Sequence, residues 1–208
     1  MTGAFDEREA RKEYVRHRQT IVFSIVATVL VVALIIATLF YTHILGRAAS
    51  TSPAAQPNYG VQVPCAPKDQ DGNASKYADN ASVSVRLLNG TKFTGFAKAV
   101  GDALANRNFK VTAIQTYNRQ NVERTTIYFG KGAIPQAYTV GANFTDAILK
   151  MDDRQDNLID VVLGATFNDL KTQKKVPVAG GNITSIAGCV PADKMTKLPQ
   201  AIQHDPAQ

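Results

Sequence analysis

The chain has 208 residues, room for one domain of ordinary size or two small ones once any membrane segment is subtracted. With 45% hydrophobic and 19% charged residues it has an ordinary globular composition, which excludes a chain disordered throughout. The charge of +6 would permit nucleic-acid binding. However, Arg8, Arg11, Lys12, Arg16 and Arg18 are interleaved with Asp6, Glu7, Glu9 and Glu13 beside an apolar run, so they read as a topology signal and no nucleic-acid partner is expected.

That run, Ile21 to Phe40, contains no charged residue. A bilayer core of roughly 30 Å needs about 20 such residues in a helix, the one form in which a single span satisfies its own backbone. The expectation is a cytoplasmic N-terminus over 1–19 and a transmembrane helix over 20–42. The basic residues before the span, against Arg47 alone close behind it, keep the N-terminus inside. A cleaved signal peptide is the competing reading, and its apolar core is typically about 7 to 15 residues, shorter than this run. Residues 43–81 are rich in Ala, Ser, Pro, Gln, Asn and Asp and read as an extracytoplasmic stalk.

Regular patterning begins at Val83. Val83, Val85 and Leu87 alternate with Ser84 and Arg86, as in a strand with one solvated face, and Asn89-Gly90-Thr91 ends it with turn chemistry. Beyond Gly95, Phe96, Val100 and Leu104 recur at helical spacing beside Ala97 and Gly101. Phe109, Val111 and Ala113 alternate again; a polar stretch from Tyr117 to Arg124 separates them from Ile127 and Phe129. Pro135 suits the first turn of a second helix whose inner stripe is Ala137, Val140, Gly141, Phe144, Ile148 and Met151. After Asp152, Asp153, Asp156 and Asn157 comes a last strand, Ile159 to Leu163, closed by Gly164.

The order β-α-β-β-α-β predicts an α+β fold of the ferredoxin-like split type over residues 82–190, with both helices on one face of a four-stranded antiparallel sheet and the other face open. Asn182 to Val190 could add an edge strand, and 191–208 read as a flexible tail. Asn89, Gly90, Gly95 and Gly164 are assigned to structural turns; for Asn89-Gly90 a contact site is the alternative.

Cys65 and Cys189, the only cysteines, flank this domain, and outside the cell they would form a disulfide. The alternative is two free thiols, one of them a nucleophile needing a nearby base. Bases are scarce: His17, His43 and His204, the only histidines, all lie outside the domain. That removes Ser-His-Asp and Cys-His sets and histidine-ligated zinc, so no catalytic residue, metal or cofactor is assigned. Asp152, Asp153, Asp156 and Asp160 lack the spacing of a calcium loop and read as a solvated turn. Lys171, Lys174, Lys175, Lys194 and Lys197 would suit anionic lipid or acidic wall polymer, or be a solvated stretch. Five Asn-x-Ser/Thr triplets, headed by Asn73, Asn80, Asn89, Asn143 and Asn182, are read as chance.

The segments Val83-Ser-Val-Arg-Leu-Leu-Asn-Gly-Thr, Gly95-Phe-Ala, Asn106-Arg-Asn-Phe-Lys-Val, Thr125-Thr-Ile-Tyr-Phe and Ile159-Asp-Val-Val-Leu-Gly resemble the LytR C-terminal domain family over about Ser82 to Phe167. Asn108 stands where that family usually has Gly, and Thr166 where an Asp often follows the last Gly. The layout of basic start, single helix, cysteine-bearing stalk and one such domain resembles that of actinobacterial envelope integrity proteins. The resemblance implies a membrane-anchored, non-catalytic scaffold for cell-envelope integrity and wall-polymer assembly, with LytR-CpsA-Psr ligases as partners. A peptidoglycan or wall-glycan binding module is the alternative, with Tyr117 and Tyr128 as candidate contacts on the open sheet face. An enzyme of unrecognised type is a third reading.

Overall fold

A computed structural model of the chain describes residues 7–41, 57–68 and 72–204. The chain divides into two compact units, 1–52 and 53–208. In the first, a single helix α1 runs from Glu7 to Tyr41. From Ile21 to Ile35 its apolar side chains are exposed, Phe23 at 69% and Leu34 at 65%, without burial against the described residues. Thr20 and Thr28 turn their hydroxyls back onto the carbonyls of Arg16 and Ser24, which removes them as polar interruptions. Among the described residues no helix is long and apolar enough to cross a membrane. The described apolar side chains end at Ile35, and at 1.5 Å per residue that run spans only about 22 Å. In the remainder of the expected span only Thr38 has a described side chain, and residues 43–56 and 69–71 of the expected stalk lie outside the described residues.

The second unit is a five-stranded mixed sheet, not a four-stranded antiparallel one. Strands β1 (Ser84–Asn89), β2 (Lys110–Thr116), β3 (Thr126–Phe129), β4 (Ile148–Met151) and β5 (Ile159–Leu163) lie in the order β2-β1-β5-β3-β4. β1 pairs parallel with both β2 and β5, β3 pairs parallel with β4, and only β3–β5 is antiparallel. Two βαβ units therefore stand side by side with β5 between them: β1-α2-β2 through α2 (Phe96–Ala105) and β3-α3-β4 through α3 (Ile134–Gly141). The ferredoxin-like arrangement fails because α3 stops at Gly141. Phe144, Ile148 and Met151 continue a helical stripe, but Leu149 and Met151 equally satisfy a period of two, and packing selects the strand. With a strand on each side of α3, the crossover closes onto its immediate neighbour and leaves no gap to fill.

Cross-strand registers align Leu87, Val161, Ile127 and Leu149 in one row on one face. Gly101 of α2 lies against Leu87, and Gly141 of α3 against Leu149, so both helices cover that face, as the sequence pattern predicted. The core they enclose includes Val85, Leu104, Phe129, Val140, Phe144 and Met151, all at most 2% exposed.

Residues expected to form stalk and tail belong to this unit. Val63 is buried in the core, and the side chain of Asn58 binds Val61 and Leu149. Cys65 and Cys189 are bonded, and Pro64 and Val190 form a short parallel bridge beside them. Ile183 is buried and its N–H donates to Ser75 O, so 182–190 is anchored by more than the disulfide.

Candidate functional site

The second face of the sheet is where polar chemistry collects. The same registers place Ala113, Arg86, Asp160, Tyr128 and Lys150 in one row, alternating with the residues that face the helices. Asp160 is fully buried. Its Oδ1 accepts from Arg86 Nε at 2.7 Å, and its Oδ2 from Arg86 Nη2 at 2.7 Å and Arg154 Nη2 at 2.9 Å. Arg154 continues the chain, with Nε and Nη2 on the two oxygens of Asp152 and Nη1 on the carbonyl of Leu158. Two arginines and two aspartates thus form a charge-balanced network whose side chains are at most 6% exposed. Burial by itself would lower the Arg154 pKa; hydrogen bonds and charge from Asp152 and Asp160 outweigh it and hold the pKa above its ordinary value.

The solvated acidic turn read from the sequence is corrected here for Asp152 and Asp160, while Asp153 and Asp156 remain at its rim. The open face is corrected as well. The chain returns over it beyond Pro191: Asp153 N donates to Pro199 O, Asp153 Oδ1 accepts from Ala201 N, and Arg86 Nη1 donates to Gln203 O at 3.1 Å. His204 meets Asp156 Oδ2 at 2.7 Å. Burial pushes the Asp156 carboxyl up, but hydrogen bonds from His204 and Leu158 N–H outweigh that and hold it below the usual range. The segment expected to be a flexible tail is therefore held to the domain through 199–204, because the paired arginine still has N–H groups to satisfy and the tail carbonyls supply acceptors.

What remains accessible on this face is the end near Tyr128. Its ring is half-buried, with Lys150 Nζ 5.8 Å from the centroid. Burial raises the Tyr128 pKa, and Tyr117 and Asp152 raise it further while Arg119 lowers it, so both candidate tyrosines belong to one electrostatic neighbourhood. Tyr117 is held there by its N–H on Asn89 O. Lys150 and Arg119 add cationic groups; the sequence does not connect Lys150 to the tyrosines, since residues 148–151 also fit a helical stripe.

The turn residues sit at the ends of β1 and β5. Asn89 spends its amide inside the β1–α2 loop: Nδ2 donates to Phe93 O, and Oδ1 accepts from the Thr91 N–H and hydroxyl. A Cβ on Gly90 would lie 2.5 Å from Leu163 O and 2.7 Å from Val122 Cγ2, and one on Gly164 2.4 Å from the carbonyl carbon of Arg124. These glycines let the loop between β2 and β3 pass across both strand ends, tied by Val122 N to Gly90 O and Ala165 N to Val122 O. Gly95 has φ +78 and open space around it. Asn108 has φ 67, in keeping with Asn filling a position where glycine is usual.

Elsewhere, a groove of about 270 Å³ is lined by Asn80, Arg107 and Asn143 among others. Its polar groups largely bind one another, Arg107 Nη1 to Asn143 Oδ1 and Asn80 Nδ2 to Arg107 O. Asn143 is 1% exposed, which leaves its triplet a structural rather than an acceptor position. Among the described residues no group of three or more His, Cys, Asp or Glu side chains is placed to hold a metal ion.

Residues 82–167 match the family described as LytR cell envelope-related transcriptional attenuator, so the resemblance read from the strand and turn motifs holds over that segment. A solved structure, the soluble domain of a conserved hypothetical secreted protein (Rv2700 ortholog) from Mycobacterium marinum, is 25% identical. The match covers 47% of this chain and 69% of that one, with a TM-score of 0.41. No curated protein matches the chain.

Proposed function

We propose that the chain is a membrane-anchored, non-catalytic scaffold that holds a LytR C-terminal-type domain outside the cell and supports envelope integrity by engaging wall-polymer assembly proteins of the LytR-CpsA-Psr ligase kind. The observation that carries this reading is the match over residues 82–167 to a cell envelope-related family. The Cys65–Cys189 bridge fits it, since structural disulfides persist in oxidising compartments. The layout is like that of the actinobacterial envelope integrity protein Cei. Anchoring rests on the exposed apolar surface of α1 from Ile21 to Ile35, which is not covered by the described residues, and on the basic residues before it. On the second sheet face every charge of the Arg86–Asp160–Arg154–Asp152 network is used in structure, which suits a binding domain better than a reaction centre.

Deletion of the chain and, in cells that keep it, in-cell crosslinking from the tagged chain test the reading. Loss of envelope integrity together with capture of a polymer ligase is the expected result, and capture of no envelope protein would overturn it. Anchoring has its own test: a cysteine placed near Asn73 should react with a membrane-impermeant maleimide in whole cells, and one near Arg8 should not.

A second reading, a wall-glycan binding module, is favoured by one arrangement: the half-buried Tyr128 ring has Lys150 Nζ 5.8 Å from its centroid. Tyrosine faces suit sugar rings, and the adjoining cations suit acidic sugars or wall phosphates. Co-sedimentation of the protein with purified sacculi at low salt, lost in Tyr128→Ala, is the expected outcome; no co-sedimentation at any salt would remove the module.

A further inference from the structure

The two edges of the sheet are treated differently. At the β4 edge, the amide of Asn58 binds both backbone groups of Leu149: Nδ2 donates to Leu149 O at 2.8 Å and Oδ1 accepts from Leu149 N at 2.8 Å. To reach it the chain holds Asn58 and Tyr59 at φ 50 and 53, a conformation non-glycine residues seldom adopt. That edge is closed by a side chain acting as a short strand. The β2 edge is last in the sheet order at the other side, and β2 is the longest strand, seven residues with most side chains exposed.

β2 has one irregularity, a register shift opposite Val85/Arg86 that leaves Thr112 out of the pairing; Ala113 to Thr116 then run in unbroken register with Arg86 to Asn89. Beyond the shift, Tyr117 N donates inward to Asn89 O. By the alternation of a strand, Gln115 and Ala113 also bond inward, and Ile114 and Thr116 turn N–H and C=O outward. Ile114 is the one large apolar residue of the strand left exposed, at 41%, on the face shared with α2, where it touches Gly101.

We propose that β2 is a self-association edge, and that a second copy of this chain adds its own β2 antiparallel about a twofold axis through Ile114. In that register Ile114 and Ile114 of the copy exchange both backbone hydrogen bonds, Ala113 faces the copy's Gln115, and Thr112 faces the copy's Thr116. Opposed residues keep to the same face of the sheet. The only charge in β2, Lys110, falls outside the matched stretch, so no like charges meet. A partner with an acidic or basic strand would find no complementary charge here, whereas the strand is complementary to itself. The two sheets become one, and the exposed apolar surface of Ile114 is covered. The shared strand is short beside the roughly 800 Å² per partner of a standard interface, so association is weak in dilute solution and is best trapped.

The test uses the full chain in cells. Opposed Cα atoms of such a hydrogen-bonded pair are about 5.5 Å apart, inside the range a disulfide spans. Ile114→Cys under mild oxidation should give a covalent homodimer several-fold more abundant than Val178→Cys, a control that is more accessible, at 76% exposure against 41%. Adding Thr116→Pro, which deletes an outward N–H and is tolerated on an edge strand, should reduce the dimer to the control level. Mapping of an intact Cys65–Cys189 bridge shows that each variant is folded. Equal crosslinking at both positions, no dimer at Ile114→Cys, or capture of a different protein there would each overturn the proposal.

Discussion

Asp160→Ala should be among the most damaging single substitutions on the second sheet face. Asp160 is 0% exposed and receives three charge-assisted bonds, all between 2.7 and 2.9 Å. Removing it leaves two guanidiniums in a site whose only remaining anion is Asp152, so the loss is that of an uncompensated buried charge rather than of the bonds summed. Breaking a buried pair in this way costs about 3–5 kcal/mol. At about 4 kcal/mol the folding constant falls roughly a thousandfold, a large share of the 5–15 kcal/mol that a domain of this kind has in total. The measurement is urea unfolding of the unit from residue 53 onward, followed by far-ultraviolet circular dichroism because the chain has no Trp. The exposed Lys98–Asp102 pair on α2 is the internal control: Lys98→Ala should change stability by less than about 0.5 kcal/mol. If Asp160→Ala costs less than about 1 kcal/mol, the network is solvated in solution and the reasoning fails.

Cys65→Ser opens a cross-link between residues 124 apart, for which chain entropy gives about 5 kcal/mol. Equilibrium unfolding with and without reductant should show a large part of that. A protease of broad specificity such as proteinase K should cut near Lys68 before cutting within 182–190, because Ile183 and the bond of Ile186 N to Tyr138 Oη still hold the latter. Gly90→Ala should cost about 2 kcal/mol or more, since its Cβ meets a backbone carbonyl and Val122 rather than a flexible side-chain tip, and a Tm lowered by several degrees checks it. Asp156 titrates below the ordinary carboxylate range in the folded state, so its contribution is complete above the unfolded value of about 4 and is lost as pH falls through the depressed folded value. Hydrogen exchange should therefore show residues 199–204 loosening at strongly acidic pH and unchanged from pH 7 to 5 on this group's account, and His204→Ala should loosen them already at neutral pH.

The sequence determined whatever depends on local period and on single residue types. Alternation marked β1, β2, β3 and β5. Spacing of Phe96, Val100 and Leu104 marked α2, and Pro135 marked the start of α3. Two cysteines on either side of one domain announced their pairing. Asn108 was legible because few residues tolerate positive φ. The fifth strand was not, since Phe144 to Met151 satisfies both periods and only the neighbour β3 decides between them. Nor was strand order, because hydrophobic period says which face is buried and nothing of which strand lies alongside.

The charged row was hidden for the same reason. Arg86 alternates outward from a strand and Asp160 stands in an acidic stretch, so each by itself reads as solvated; they become buried partners because β1 and β5 pair at Arg86–Asp160. Arg154, beyond the end of β4, closes the network from the connection before β5. The tail was misread because its affinity for the domain lies in backbone carbonyls, which every residue carries and no composition reveals. Side-chain pattern is local and visible in one chain read alone. Register, edge and backbone complementarity exist only between segments that folding has brought together.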